Sequence, residues 1–183
     1  MVTRTARLEE LVRDIPDFPA PGVVFKDITP LLADAAAFAA TVEALTEPFA
    51  GQGIEQVVGI EARGFILAGA IAHRIGAGFV PVRKGGKLPG AVEQEHYDLE
   101  YGSDLLEVHA DALVAGARVL VVDDVLATGG TAAATVRLVE KLDGHVVGLG
   151  FVLELAFLSG RGQLPGRQVV PLLTYGTSGD GQP

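Results

Sequence analysis

Apolar residues along the chain gather into two kinds of run that alternate. Unbroken runs of strand length occur in EQVVGI (55–60), GAGFVPV (76–82), RVLVVDD (118–124), HVVGLGFVLEL (145–155) and RQVVPLLT (167–174). Continuous rather than alternating apolarity is what a strand covered on both faces requires. Between these runs lie helix-length segments: ADAAAFAATVEALTEPF (33–49), the almost wholly apolar GFILAGAIAHRI (64–75), and GGTAAATVRLVEKLDG (129–144), closed by Gly144. The alternation predicts an α/β fold with right-handed crossovers and a central, mostly parallel sheet flanked by helices. Near the N-terminus, Leu8, Leu11, Val12 and Ile15 have helical spacing, and the prolines of IPDFPAPG (15–22) end that segment. From Arg83 to Asp104 the periodicity collapses into glycine, proline and charge. This stretch is expected to be a long exposed excursion, from which DLLEVHAD (104–111) returns as a strand.

A chain of 183 residues is expected to form one domain with a core of its own. It has no cysteine, which excludes disulfide frameworks, thiolate metal sites and cysteine nucleophiles, and suits a reducing cytoplasm. No uncharged apolar run approaches membrane-spanning length, and the N-terminal residues do not read as a signal peptide. A cytoplasmic location is expected. The net charge of −9 disfavours nucleic-acid binding.

The charge is unevenly distributed. Residues 62–92 carry no acid but hold Arg63, Arg74, Arg83, Lys84 and Lys87, whereas residues 93–111 carry seven acids and no lysine or arginine. A basic segment within an acidic chain suggests a local anion site, with chance clustering on solvated faces as the alternative. The four histidines, His73, His96, His109 and His145, fall on separate elements and form no metal constellation; His73 reads as a core histidine of its apolar helix.

The densest chemistry lies in VLVVDDVLATGGTAAATV (119–136). An apolar strand ends in Asp123 and Asp124, and a glycine-containing turn then opens a helix. In such sheets ligands bind beyond the carboxyl ends of the strands. Amides of Ala127, Thr128, Gly129, Gly130 and Thr131 at a helix start are suited to an anion, and glycine permits close approach. Two carboxylates cannot face that anion, so they are expected on the other side of the turn, where sugar hydroxyls suit them. Neither G-x-x-x-x-G-K-[ST] nor G-x-G-x-x-G is present. A glycine turn with acids as helix caps remains the purely structural alternative.

This segment resembles the phosphoribosyl-pyrophosphate (PRPP) motif of type I phosphoribosyltransferases. DFPAPGVVFKDITPLL (17–32), EARGF (61–65), VRKGGKLPG (82–90) and YDLEYGSDLLEVH (97–109) narrow the resemblance to the adenine-specific branch. The resemblance implies that fold, with residues 1–33 as a small N-terminal hood contributing the base pocket and residues 83–110 as a mobile catalytic loop. It implies transfer of a phosphoribosyl group to adenine in purine salvage, forming AMP and pyrophosphate. It further implies Mg2+ held mainly by substrate rather than directly by the protein, and a homodimer.

The roles it implies are specific. Asp123 and Asp124 hold the ribose hydroxyls, and Ala127, Thr128, Gly129, Gly130 and Thr131 hold the 5'-phosphate. Arg63 is catalytic at the pyrophosphate, where Arg83, Lys84 and Lys87 also serve, partly across a dimer interface. A strained peptide is implied at Glu61–Ala62. Val24, Phe25 and Lys26 bind adenine, with Val125 on its other face, and Glu100 is catalytic beside Tyr101 on the loop. On the residues alone, Phe25 between valines reads as core, the 83–87 segment as a solvated basic loop, and Glu100 as surface charge. The remaining alternatives are a sister enzyme acting on hypoxanthine, xanthine or orotate, and a non-catalytic ligand sensor on the same fold.

Overall fold

A computed structural model describes residues 4–98 and 103–176. The chain divides into two compact units, Met1–Ala44 and Leu45–Pro183.

The first unit contains α1 (Arg4–Glu9), the antiparallel strands β1 (Arg13–Ile15) and β2 (Phe25–Asp27), and α2 (Thr29–Ala33); most of α3 (Ala35–Thr46) also lies in it. The expected N-terminal helix is therefore shorter than its apolar spacing suggests, and Leu11, Val12 and Ile15 lie outside it. A cross-strand network competes with helix continuation. Arg13 faces Asp27 in the ladder, and the Asp27 carboxylate accepts from Arg13 Nη2 at 2.7 Å, the Thr29 amide at 2.9 Å and the Thr29 hydroxyl at 2.7 Å. The Thr29 amide is the main reason that the Asp27 carboxyl stays below the usual carboxylate range, against the opposing effect of burial. The helix expected over 33–49 begins at Ala35, because Asp34 caps the Ala37 amide at 2.8 Å. It ends at Thr46, and a short 3₁₀ turn, Glu47–Phe49, follows around Pro48.

The second unit is built on a seven-stranded sheet. In chain order its elements are β3 (Gln56–Ile60), α4 (Arg63–Ile75), β4 (Gly78–Lys84), β5 (Val92–Asp98), β6 (Ser103–His109), β7 (Arg118–Leu126), α5 (Gly130–Lys141), β8 (His145–Leu155) and β9 (Val169–Tyr175). The strand order is β5-β6-β4-β3-β7-β8-β9. The five strands from β4 to β9 in that order are parallel, and β6 and β5 extend the edge antiparallel.

Much of the 83–104 excursion is thus ordered strand. β5 escaped the periodicity reading because its partners are polar: Glu95 binds Arg137 and Lys141 of α5, where an apolar face would otherwise be needed. His73 also departs from expectation. It is exposed near the end of α4, because the buried stripe of that helix runs through Gly64, Leu67, Ala68, Ile71 and Ala72.

The helices cover opposite faces. Val58 and Ile60 of β3 and Val119 and Val121 of β7 join the core that α5 seals with Ala133, Val136 and Leu138. Gly59, of the other parity, faces α4, where an added Cβ would lie 2.8 Å from that of Ala68. No helix among the described residues is long and apolar enough to cross a membrane.

Candidate functional site

Strand β7 delivers Asp123 and Asp124 toward its carboxyl end, and the chain then turns through Ala127 and Thr128 into α5. Gly129 makes the turn in the left-handed region, at φ 84°, which explains a glycine there. It occupies the N-cap position of α5 without supplying a side-chain acceptor, so first-turn amides are left for an external anion. Asp123, Val125, Ala127, Thr128, Gly129 and Thr131 all line one open cleft of about 310 Å³. The helix behind it is fastened by the Ala133 amide donating to the Gly129 carbonyl at 2.9 Å, and by the Thr135 hydroxyl donating to the Thr131 carbonyl at 2.9 Å.

The two acids differ. Asp124 is buried and accepts a hydrogen bond from Nε of Arg63, the first residue of α4. Asp123 Oδ1 accepts from the Asp124 amide at 2.9 Å. Desolvation of the half-buried Asp123, and then the neighbouring Asp124 charge, push its carboxyl well above the usual carboxylate range. Helix α4 presses close to this point. A Cβ on Gly64 would lie 2.8 Å from Asp123 Oδ1 and 3.0 Å from the Val122 carbonyl.

Across the parallel strands lies the basic segment. The Glu61–Ala62 peptide is cis. Glu61 accepts from Arg83 Nε at 3.2 Å and from the Lys84 amide at 3.1 Å. Burial opposes ionisation of Glu61, but these donors hold its carboxyl below the usual range. Arg83 also donates to the Lys87 carbonyl at 3.1 Å. The buried Glu107 carboxylate anchors the turn that follows β4, accepting from the Gly86 amide at 2.9 Å and from Gln94 at 2.7 Å. Lys84 pairs with Asp104 at 3.2 Å, and the Tyr97 phenol donates to Asp104 at 3.1 Å.

Asp123, Asp124 and Arg63 therefore converge, with the 127–131 turn directly following the acids. Arg83 and Lys84 are gathered by Glu61. Val24, Phe25 and Lys26 lie in the first unit: Val24 is exposed, Phe25 meets Phe18 edge-on at 5.3 Å between ring centres, and Lys26 pairs with Asp14 at 2.6 Å. Glu100 and Tyr101 lie outside the described residues. Sequence reasoning missed Glu107 and Tyr97 as anchors. In the sequence Glu107 is one of seven acids in a run, and nothing in that run marks the one whose partners are amides of another strand's turn.

A family model for the phosphoribosyl transferase domain matches residues 26–161. An adenine phosphoribosyltransferase of Myxococcus xanthus is 56% identical over 94% of this chain and 94% of its own. One from Streptomyces coelicolor is 59% identical over 87% and 88%. Among solved structures, the adenine phosphoribosyltransferase of Rhodothermus marinus superposes with a TM-score of 0.91 at 53% identity, covering 95% of this chain and 99% of that one. The Saccharomyces cerevisiae enzyme, complexed with an imino-altritol bisphosphate and adenine, gives 0.89 at 41% identity over 94% and 100%. With an acid pair leading into an uncapped helix start, and with these similarities along nearly its whole length, the chain belongs to the phosphoribosyltransferase family, in the branch of the adenine phosphoribosyltransferases.

Proposed function

We propose that the protein transfers the 5-phosphoribosyl group of PRPP to N9 of adenine, forming AMP and releasing pyrophosphate. The observation that carries this reading is a cleft lined both by a carboxylate, Asp123, and by Ala127, Thr128, Gly129 and Thr131 at a helix start that no side chain caps. A sugar bearing hydroxyls at one end and a 5'-phosphate at the other matches that pairing. Asp123 and Asp124 take the ribose hydroxyls, while Ala127, Thr128, Gly129, Gly130 and Thr131 take the phosphate. Arg63, whose Nε donates to Asp124, is assigned to the pyrophosphate. Arg83, Lys84 and Lys87 add positive charge on the same side.

In the reaction the bond from the anomeric carbon to pyrophosphate breaks, its electron pair leaves with pyrophosphate, and the N9 lone pair forms the new bond. The positive charge that develops on the sugar is stabilised by the acid pair. Glu100 manages the proton displaced from the purine, and Tyr101 follows it in the sequence. Val24, Phe25 and Lys26, together with Val125, are the residues assigned to adenine. Main-chain acceptors at Val24 and Lys26 favour its 6-amino group over a 6-oxo group. Mg2+ would be held mainly by oxygens of PRPP, and the Asp123 and Asp124 carboxylates are hard oxygen donors compatible with it. When bound, the ion offsets charge on the leaving pyrophosphate.

We assign the enzyme to the cytoplasm, whose reducing conditions a cysteine-free chain suits. We also assign it a homodimeric state. Exposed Ile66 and Phe79 support this, since they leave apolar surface on α4 and β4.

The test is a base panel in which PRPP, Mg2+ and one purine or orotate at a time are incubated with the protein while pyrophosphate release is followed. Release with adenine alone is expected. Release with hypoxanthine but not adenine contradicts the reading, as does none with any base.

A further inference from the structure

The segment after β8, which the phosphoribosyl-pyrophosphate motif does not include, presses on the phosphate turn. A 3₁₀ turn, Ala156–Leu158, leads through Ser159 into a second, Gly160–Gln163. Two glycines interlock there. A Cβ on Gly129 would lie 2.3 Å from the Gly160 carbonyl oxygen, and a Cβ on Gly160 would lie 2.2 Å from the Ala127 carbonyl oxygen and 3.0 Å from the Gly129 nitrogen. Backbone therefore meets backbone, with no side chain between. Gly129 needs to be glycine for its positive φ as well, but Gly160 does not adopt such a conformation. Close approach alone accounts for glycine at position 160.

The second turn is fastened from outside itself. Arg161 donates to Glu154 of β8 through both Nε, at 2.6 Å, and Nη2, at 2.8 Å, in a forked, charge-assisted pair. Glu154 is buried, and in the sheet it lies opposite Leu126, the residue immediately before Ala127. The clamp thus fixes the Gly160 turn to the sheet at the same level as the start of the phosphate turn. A third bond runs from Arg161 Nη1 to the Val169 carbonyl at 3.3 Å.

We infer that Gly160, Arg161 and Glu154 are positioning residues that set the spacing of the 5'-phosphate turn. The Gly160 backbone is the rigid back wall of residues 127–129, and the Arg161–Glu154 fork holds that wall in place. None of the three touches substrate in this arrangement; they act through the placement of the amides. The inference rests on the assignment of residues 127–131 to the 5'-phosphate.

Its test is calorimetric titration with ribose 5-phosphate, which carries that phosphate alone, and separately with pyrophosphate. The variants are Gly160→Ala, Arg161→Lys and Glu154→Gln, with Thr128→Ala and Thr131→Ala as probes of the turn itself. An added methyl at Gly160 moves the turn by about 1 Å, so ribose 5-phosphate affinity should fall roughly tenfold or more. Arg161→Lys, which keeps the charge and loses the fork, should reduce it by a few-fold. Pyrophosphate affinity should stay within about twofold of the parent, because a general loss of structure would weaken both ligands alike. Unchanged ribose 5-phosphate affinity in folded Arg161→Lys and Glu154→Gln overturns the inference, and so does an equal loss for both ligands. If Gly160→Ala does not fold, those two variants decide the matter. Should the threonine variants weaken ribose 5-phosphate binding while the clamp variants do not, the clamp is wrong and the turn assignment stands. Should all five leave it unchanged, the turn assignment itself is wrong.

Discussion

Asp123→Asn should make the ligand-free protein more stable and much less able to bind PRPP. The perturbation is small in shape: asparagine keeps an oxygen to accept the Asp124 amide, now made at 2.9 Å, and removes one negative charge. That charge is unfavourable in the folded state, because desolvation and then the Asp124 carboxylate raise the Asp123 carboxyl well above its usual range. A carboxyl raised by folding binds its proton more tightly folded than unfolded. Its contribution to stability is therefore present at low pH and is lost as pH rises from about 3.9, the unfolded value, through the raised folded value. The variant should be the more stable protein at pH 7.5, by about 1–2 kcal/mol if the gain has the usual size of a stabilising substitution. For a chain of this size that is a rise in Tm of roughly 2–8 °C. Thermal unfolding of the ligand-free proteins at pH 5 and 7.5 measures it, and the variant should show the flatter pH dependence. Calorimetric titration with PRPP should show a loss of roughly tenfold or more, as expected when a charged acceptor is removed from a sugar hydroxyl. A Tm below the parent at pH 7.5, with unchanged PRPP affinity, would refute both the electrostatic argument and the ribose assignment.

Other perturbations probe separate parts of the account. Glu100→Gln should lower kcat by about 10²–10⁴ while PRPP binding persists, as read from steady-state kinetics and titration. Phe25→Ala should weaken adenine by about 1–3 kcal/mol, the usual contribution of stacking a base on an aromatic ring, and the KM for adenine reports it. Tyr97→Phe keeps the buried ring but removes its bond to Asp104, so stability should fall by about 1 kcal/mol and Tm by roughly 2–4 °C.

The parallel half of the fold was legible because burial on both faces leaves unbroken apolar runs, as in Val119–Val122 and Phe151–Leu153. The antiparallel edge was not, since β5 meets α5 through Glu95, Arg137 and Lys141, and polar partners write no period into the sequence. The N-terminal hairpin was hidden for a related reason. Its register is set by Arg13 opposite Asp27, a pair 14 residues apart that local spacing cannot reveal.

At the site, the acid pair and glycine turn are contiguous in sequence and could be read directly. The supports around them are not contiguous. Gly160 is one of 24 glycines, and only the fold brings its carbonyl against Gly129. Glu61 and Glu107 serve as anchors because strands from distant parts of the chain present amides and an arginine to them.

Whether residues 123–131 hold a phosphorylated pentose is visible in a crystal structure of the protein grown with AMP. Phosphate oxygens should lie on the amides of residues 127–131, and both ribose hydroxyls on Asp123 and Asp124. AMP bound elsewhere while this cleft stays empty, or seated with its phosphate away from those amides, contradicts that assignment.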